Sequence, residues 1–177
     1  MNRFKKWAQK EYPLAYRVLA LIPAGLLFAL LIPYLLVRAA PLADAALGLP
    51  GFNPGLPGLI AGGIFILIGA VYALWSIASQ LLRARGTPLP VMPTQELLVT
   101  VPFDQCRNPM TFGTISLYLG VSILAGSITA LALTILLSAL LISYLKLVEE
   151  TELEARFGDD YLAYKSQTPF LIPRIFH

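Results

Sequence analysis

Charge is scarce in this sequence of 177 residues: Asp, Glu, Lys and Arg make up 13%, about half the share in a typical soluble domain. So few polar side chains cannot cover a water-exposed globule of this size, which excludes soluble, disordered and collagen-like classes. There is one cysteine, Cys106, so no internal disulfide can form and the redox compartment cannot be read. The one histidine is His177. Together they supply neither a zinc cluster nor a Ser–His or Cys–His pair, which removes several common enzyme chemistries. The excess of 13 Lys and Arg over 10 Asp and Glu is too mild to point to nucleic acid. Apolar residues are what the chain has in quantity, at 57% with a mean hydropathy of +0.72. Its solvent is lipid.

Charges punctuate the apolar runs. Between Arg17 and Arg38 lie 20 uncharged residues, Val18 to Val37, which as a helix rise about 30 Å, the thickness of a hydrocarbon core. Pro23 and Pro33 fall inside this run and predict kinks that a bundle tolerates. A signal peptide is the rival reading, because Arg3, Lys5 and Lys6 precede the run and Ala39-Ala40 follow it. The run exceeds the usual apolar region of about 7–15 residues and more apolar segments follow, which favours a retained span. Residues 41–57 concentrate Pro41, Pro50, Pro54 and Pro57 with Gly48, Gly51 and Gly55, and predict an irregular connection. A second span is expected from Gly58 to Leu82, with Gly58, Gly62, Gly69 and Ala73 spaced for close helix contact, although glycine is common in membrane helices generally.

Arg83 and Arg85 end that span, and residues 86–111 form a polar interval rich in proline. The 38 uncharged residues from Asn108 to Leu145 would cover about 57 Å as one helix, so two helices turning near Gly126-Ser127 are expected. Basic residues cluster before the first span (Arg3, Lys5, Lys6, Lys10, Arg17), in the polar interval and in the tail, while the first connection is bordered by Arg38 alone. Four spans with both termini cytoplasmic satisfy this distribution. From Leu147 the tail reads as a short amphipathic helix carrying Leu153 and Phe157 and stopped by Gly158, then a second short helix opening at Asp159-Asp160 with Tyr161 and Tyr164. Pro169 and Pro173 close the chain around Phe170-Leu171-Ile172, expected at the interface. The expectation is an all-α, polytopic membrane helix bundle in one domain, residues 1–177, of about four transmembrane helices with a C-terminal helical hairpin and short cytoplasmic amphipathic helices.

Two polar clusters fall on the expected cytoplasmic side: Asp104-Gln105-Cys106-Arg107-Asn108-Pro109, and Glu149-Glu150 with Glu152 and Glu154. Arg107 and Glu149 bracket the hairpin, which brings a cation and an anion together either as a pocket for a zwitterionic ligand or as an interfacial ion pair. Each has a plainer reading. A carboxylate run after a span is commonly a solvated face, Arg107 a positive-inside anchor, and Tyr161 and Tyr164 interface anchors. Glu152 and Arg156 have the favourable i,i+4 order, worth about 0.3 kcal/mol. Cys106 is a bystander or a palmitoylation site.

Gly86-Thr87-Pro88-Leu89-Pro90, Leu98-Val99-Thr100 and Arg107-Asn108-Pro109-Met110, followed by Glu149-Glu150, Leu153, Phe157-Gly158, Tyr161, Tyr164 and Pro173, resemble the paired motifs of the isoprenylcysteine carboxyl methyltransferase and phospholipid methyltransferase superfamily. The likeness covers residues 86–173, the methyltransferase-like core. It implies a helical membrane bundle rather than a soluble methyltransferase sheet, and S-adenosyl-L-methionine as cofactor. The cofactor contacts it implies are Gln95, Glu96, Leu97, Leu98, Phe103, Asn108, Pro109, Met110, Thr111 and Glu149, with Arg107 and Glu150 orienting them. Relatives of the prenylcysteine enzymes carry Tyr in place of Phe103 and Thr111, His in place of Asn108, Gly in place of Val101, and a substrate-contacting Arg in place of Leu145. Lys146 is the neighbouring candidate for substrate contact, about 100° around the helix.

The resemblance implies methyl transfer to a lipid-like or small hydrophobic acceptor entering from the bilayer, with no nucleic-acid partner. Transfer from an activated sulfonium needs alignment and exclusion of water, to which positioning contributes about 7–11 kcal/mol, and no acid or base residue is assigned. A non-catalytic four-span protein on the same scaffold, binding a lipid or protein partner, is the alternative. A small transporter is a third reading, disfavoured by the lack of intramembrane charge.

Overall fold

The computed structural model describes residues 12–89 and 92–174. Arg3, Lys5, Lys6 and Lys10 of the basic N-terminal segment, Pro90 of the first motif and His177 lie outside the described residues. The described chain is all helix and loop: α1 (Leu14–Leu47), α2 (Gly55–Leu82), α3 (Pro109–Ala125), α4 (Ile128–Phe157) and α5 (Asp159–Gln167). α1, α2 and α4 are long and apolar enough to cross a membrane, and α3, at 17 residues, is a shorter apolar helix. Large apolar side chains such as Leu19, Leu30, Leu67, Ile135 and Leu140 stand mostly exposed, the reverse of a water-soluble surface. The fold is a helical membrane bundle.

α1 runs further than the proline pattern predicts. Pro41 lies inside the helix, which ends only where Gly48 takes a left-handed conformation, so the irregular connection begins at Gly48 rather than at residue 41. The register change that accommodates a proline is visible upstream. Between Leu26 and Leu31 the helix widens into π turns, and the Ile32 amide donates to Leu27 O. In that register Phe28 O awaits the amide of residue 33, a proline without one. Tyr118 of α3 supplies the missing donor, its hydroxyl reaching Phe28 O at 2.7 Å. Tyr118 is buried with Leu36, Ala40 and Ala130 in the core shared by α1, α3 and α4.

α2 and α3 lie backbone to backbone. A Cβ on Gly69 would fall 2.6 Å from Gly113 O, and one on Gly120 would fall 2.5 Å from Gly62 O. Each contact sets glycine against glycine, seven residues apart on both helices, so the spacing seen in α2 does serve close contact. α3 begins with Pro109 at its first position and ends at a left-handed Gly126, and Ser127 caps α4 by accepting from the Ala130 amide. Asp44 braces this turn: Ser127 Oγ, the Thr129 amide and Thr129 Oγ1 all donate to its carboxylate. The hairpin therefore turns where expected, and a carboxylate of α1 supplies the charge that the turn itself lacks.

α4 differs from the expectation of a separate amphipathic helix after Leu147. It continues without a break through a second π-helical stretch, Leu145–Glu149, to Phe157, because no residue before Gly158 (φ +56) favours termination. Its apolar part ends at Leu145. The turns carrying Lys146, Glu149, Glu150, Glu152, Glu154 and Arg156 project past the membrane-spanning part. Of the two short helices expected in the tail, only α5 is separate. The start of α1, the end of α2, the start of α3, the end of α4 and α5 meet at one end of the bundle, tied in part by Arg17 Nη1 donating to Leu81 O at 2.7 Å.

Candidate active site

At that end residues 83–89 and 92–108 lie between the end of α2 and the start of α3. The Gln95 amide donates to Ala84 O and the Thr87 amide to Met92 O. Arg156 of α4 fastens the loop by donating from Nη2 to Thr94 O, while its Nη1 lies 3.3 Å from Glu152 Oε1, the expected i,i+4 pair. A cavity of about 60 Å³, partly open to the outside, lies between this loop, the end of α4 and α5.

Arg107 is the organising cation. Its Nη2 lies 2.6 Å from Glu150 Oε1, and its Nη1 donates to both Lys165 O and Thr168 O at 2.8 Å. The backbone follows the same path, with the Arg107 amide donating to Pro169 O and Asn108 Nδ2 to Phe170 O. Tyr164 donates to Phe103 O at 2.6 Å. The tail is thus strapped over the loop that opens α3. Arg107 meets Glu150, not Glu149. Burial alone would raise Glu150, but hydrogen bonds from Lys165 and Arg107 outweigh it and hold its carboxyl below the usual range.

Glu149 is left over, half-buried on the cavity wall, with no hydrogen bond to its carboxylate among the described residues. Burial first, then the neighbouring Glu152 and Glu150, push it up to about 7. The Glu149-Glu150 pair is therefore no solvated face. One carboxylate is neutralised by two cations, and the other has no cation beside it among the described residues.

Of the residues singled out in the sequence, Glu96, Leu97, Leu98, Phe103, Arg107, Asn108, Glu149 and Glu150 line the cavity. Gln95, Pro109, Met110 and Thr111 do not: Gln95 Nε2 donates to Pro93 O, Pro109 is buried at the helix start, and Met110 O accepts from Thr114. Lys146 lies outside the wall with its ammonium 5.0 Å from the Phe170 ring, while Leu145 lines the cavity. Tyr161 and Tyr164 are buried wall residues rather than interface anchors, and burial pushes Tyr161 up to about 12. Cys106 is wholly buried, which leaves no exposed thiol for acylation in this fold, and burial also pushes the thiol up to about 12. Sequence reasoning missed Gln80, Thr94 and the wall role of Leu153. A lone amide near the end of an apolar span was the available signal for Gln80.

Neither a curated protein nor a solved structure matches the chain. A family model does: that of the phospholipid methyltransferases, over residues 57–160. The match takes in most of α2 and all of α3 and α4. It covers more than half of the chain, includes both polar clusters of the cavity, and starts upstream of the motifs read at residues 86–173. The chain belongs to the phospholipid methyltransferase family, within the superfamily of integral membrane methyltransferases that also holds the isoprenylcysteine carboxyl methyltransferases.

Proposed function

We propose that this protein transfers a methyl group from S-adenosylmethionine to a lipid-like or small hydrophobic acceptor at the cytoplasmic face of the membrane. The observation that carries the reading is Glu149: a half-buried carboxylate without a partner, on a cavity walled by both polar clusters. The donor set fits the cofactor's zwitterionic amino-acid part. Glu149 offers an anionic acceptor, and Arg107, which also lines the cavity, has a buried Nε with no hydrogen-bond partner. Leu97, Leu98, Phe103, Leu145 and Leu153 offer apolar wall to a nucleoside ring. When bound, the cofactor supplies an electrophilic methyl group on a sulfonium.

The chain's own part is positional. Glu149 holds the cationic end, Asn108 and the loop at Glu96–Leu98 border the ligand, and the Arg107–Glu150 pair fixes the tail that excludes water. Gln95, Pro109, Met110 and Thr111 act through the loop and helix start that they shape. No acid or base is required for a carboxylate or thiolate acceptor. Leu145 removes the cation that a prenylcysteine carboxylate would need, and Lys146 is occupied at Phe170, so an acceptor lacking that carboxylate is favoured. Arg17, Arg83, Arg85, Arg107, Lys165 and Arg174 gather at the cavity end, which supports a cytoplasmic placement.

The test is binding of S-adenosylhomocysteine to the detergent-purified full chain, by calorimetry. Wild type is expected to bind saturably, and Glu149→Ala to weaken binding at least tenfold while remaining folded. No binding by folded wild type in detergent and in nanodiscs overturns the reading and favours a non-catalytic scaffold.

A further inference from the structure

Near the end of α2, outside the motifs of the loop and tail, Gln80 presents a side-chain oxygen that is buried and accepts no hydrogen bond. Two other polar groups on α2 are satisfied: Ser76 Oγ donates to Tyr72 O, and Tyr72 donates to Gln105 Oε1 at 2.7 Å. Buried acceptors without donors are rare because they cost stability. A second cavity, of about 50 Å³, adjoins the first and is lined by Thr87, Tyr144, Glu152 and Arg156 among others. Four residues line both cavities: Gln80, Thr94, Glu149 and Leu153. Leu153 offers no polar side-chain atom, and the Thr94 carbonyl already accepts from Arg156. Beside the Thr94 hydroxyl, the shared wall presents two acceptors without a partner among the described residues, the Gln80 amide oxygen and the Glu149 carboxylate.

We infer that Gln80 is a ligand-binding residue whose side-chain oxygen accepts a hydrogen bond from a primary ammonium group held where the two cavities meet. Two acceptors, one neutral and one anionic, match a group that carries three donors and a positive charge. A hydroxyl would satisfy only one of them. Two sources offer this chemistry: the amino-acid end of the cofactor, if the methyltransferase reading holds, or the amine of an acceptor reaching the second cavity. Either way Gln80 reads the ammonium from α2, apart from the loop, α4 and α5 that build the rest of the wall.

The experiment compares wild type with Gln80→Leu and Gln80→Glu, in detergent-purified full chain. Calorimetry is run with S-adenosylhomocysteine, with methylthioadenosine, which lacks the amino-acid part, and with decylamine; melting temperatures are taken without ligand. The Leu variant is expected to melt no lower than wild type, since it removes an unsatisfied acceptor. It is expected to bind one ammonium ligand about tenfold more weakly, and the Glu variant, which keeps an acceptor, to retain affinity. Weakened S-adenosylhomocysteine with unchanged methylthioadenosine assigns the cofactor's ammonium. Weakened decylamine with both nucleosides unchanged assigns the acceptor's. If wild type binds decylamine in a Gln80-dependent way but no nucleoside, the inference stands and the methyltransferase reading falls. Unchanged affinity for all three probes overturns the inference, as does a lower melting temperature of the ligand-free Leu and Glu variants without selective loss of an ammonium ligand.

Discussion

Replacing Tyr118 by Phe removes one hydroxyl and leaves the ring in its place among Leu36, Ala40 and Ala130. The hydroxyl is the donor to Phe28 O at 2.7 Å, and in the π-helical register that carbonyl has no backbone donor because Pro33 lacks an N–H. A buried carbonyl stripped of its donor costs about 1–3 kcal/mol in general, whereas interhelical hydrogen bonds in membranes average about 0.6 and reach about 1.7. The expected loss for Tyr118→Phe is therefore about 1–2 kcal/mol, near the upper membrane value because no local donor is at hand. For a chain of this length that lowers the melting temperature by about 2–8 °C. Pro33→Ala restores an amide at the position that Phe28 O faces. In that background Tyr118→Phe should cost less than half as much, a coupling read by a double-mutant cycle on reversible unfolding in mixed micelles. Equal cost of Tyr118→Phe in both backgrounds would refute the claim that the tyrosine compensates for the proline.

Glu149 links stability to pH: its carboxyl lies at about 7 in the folded chain against an ordinary 4.5, so the folded state binds more protons between those values. Stability should fall as pH rises from about 5 to 8, by at most about 3 kcal/mol, the slope should shrink in Glu149→Gln, and affinity for S-adenosylhomocysteine should rise over the same window; a flat difference between wild type and variant refutes it. Gly69→Ala should lower stability by about 1–3 kcal/mol, because its Cβ would meet the α3 backbone, while Gly63→Ala on the same helix, with open space around it, should be neutral or slightly stabilising; similar melting temperatures for the two variants refute the close packing. Cys106 should resist maleimide in the folded protein and react fully after denaturation; rapid labelling of folded protein in membranes would show that the strap over the loop is open.

Apolar runs bounded by charge are enough to place α2 and the α3–α4 hairpin, because the cost of burying charge in hydrocarbon acts on any conformation of the chain. Gly126-Ser127, Gly158 and Asp159-Asp160 mark their turns by local backbone and capping chemistry, and that too is readable residue by residue. The extension of α1 through Pro41, and of α4 past Leu147, was not readable. Proline lowers the stability of a helix without forbidding it, and neighbouring helices decide whether the freed carbonyls find donors, as Tyr118 does for Phe28.

The same division runs through the site. That Arg107 and the Glu149-Glu150 pair belong together follows from the hairpin between them, a matter of spacing and topology. Which glutamate takes the arginine is set by α5 and the tail: Lys165 adds a second cation at Glu150, the carbonyls of Lys165 and Thr168 hold the guanidinium, and Glu149 is left facing the cavity. Gln80 comes from a helix far upstream, and no pattern in its own neighbourhood connects it to that carboxylate. The sequence by itself determined the solvent of this protein, its helical class and the residues able to carry charge at one end. Tertiary packing decided which of those charges cancel and which remain free, because pairing depends on distances between segments that share no local periodicity.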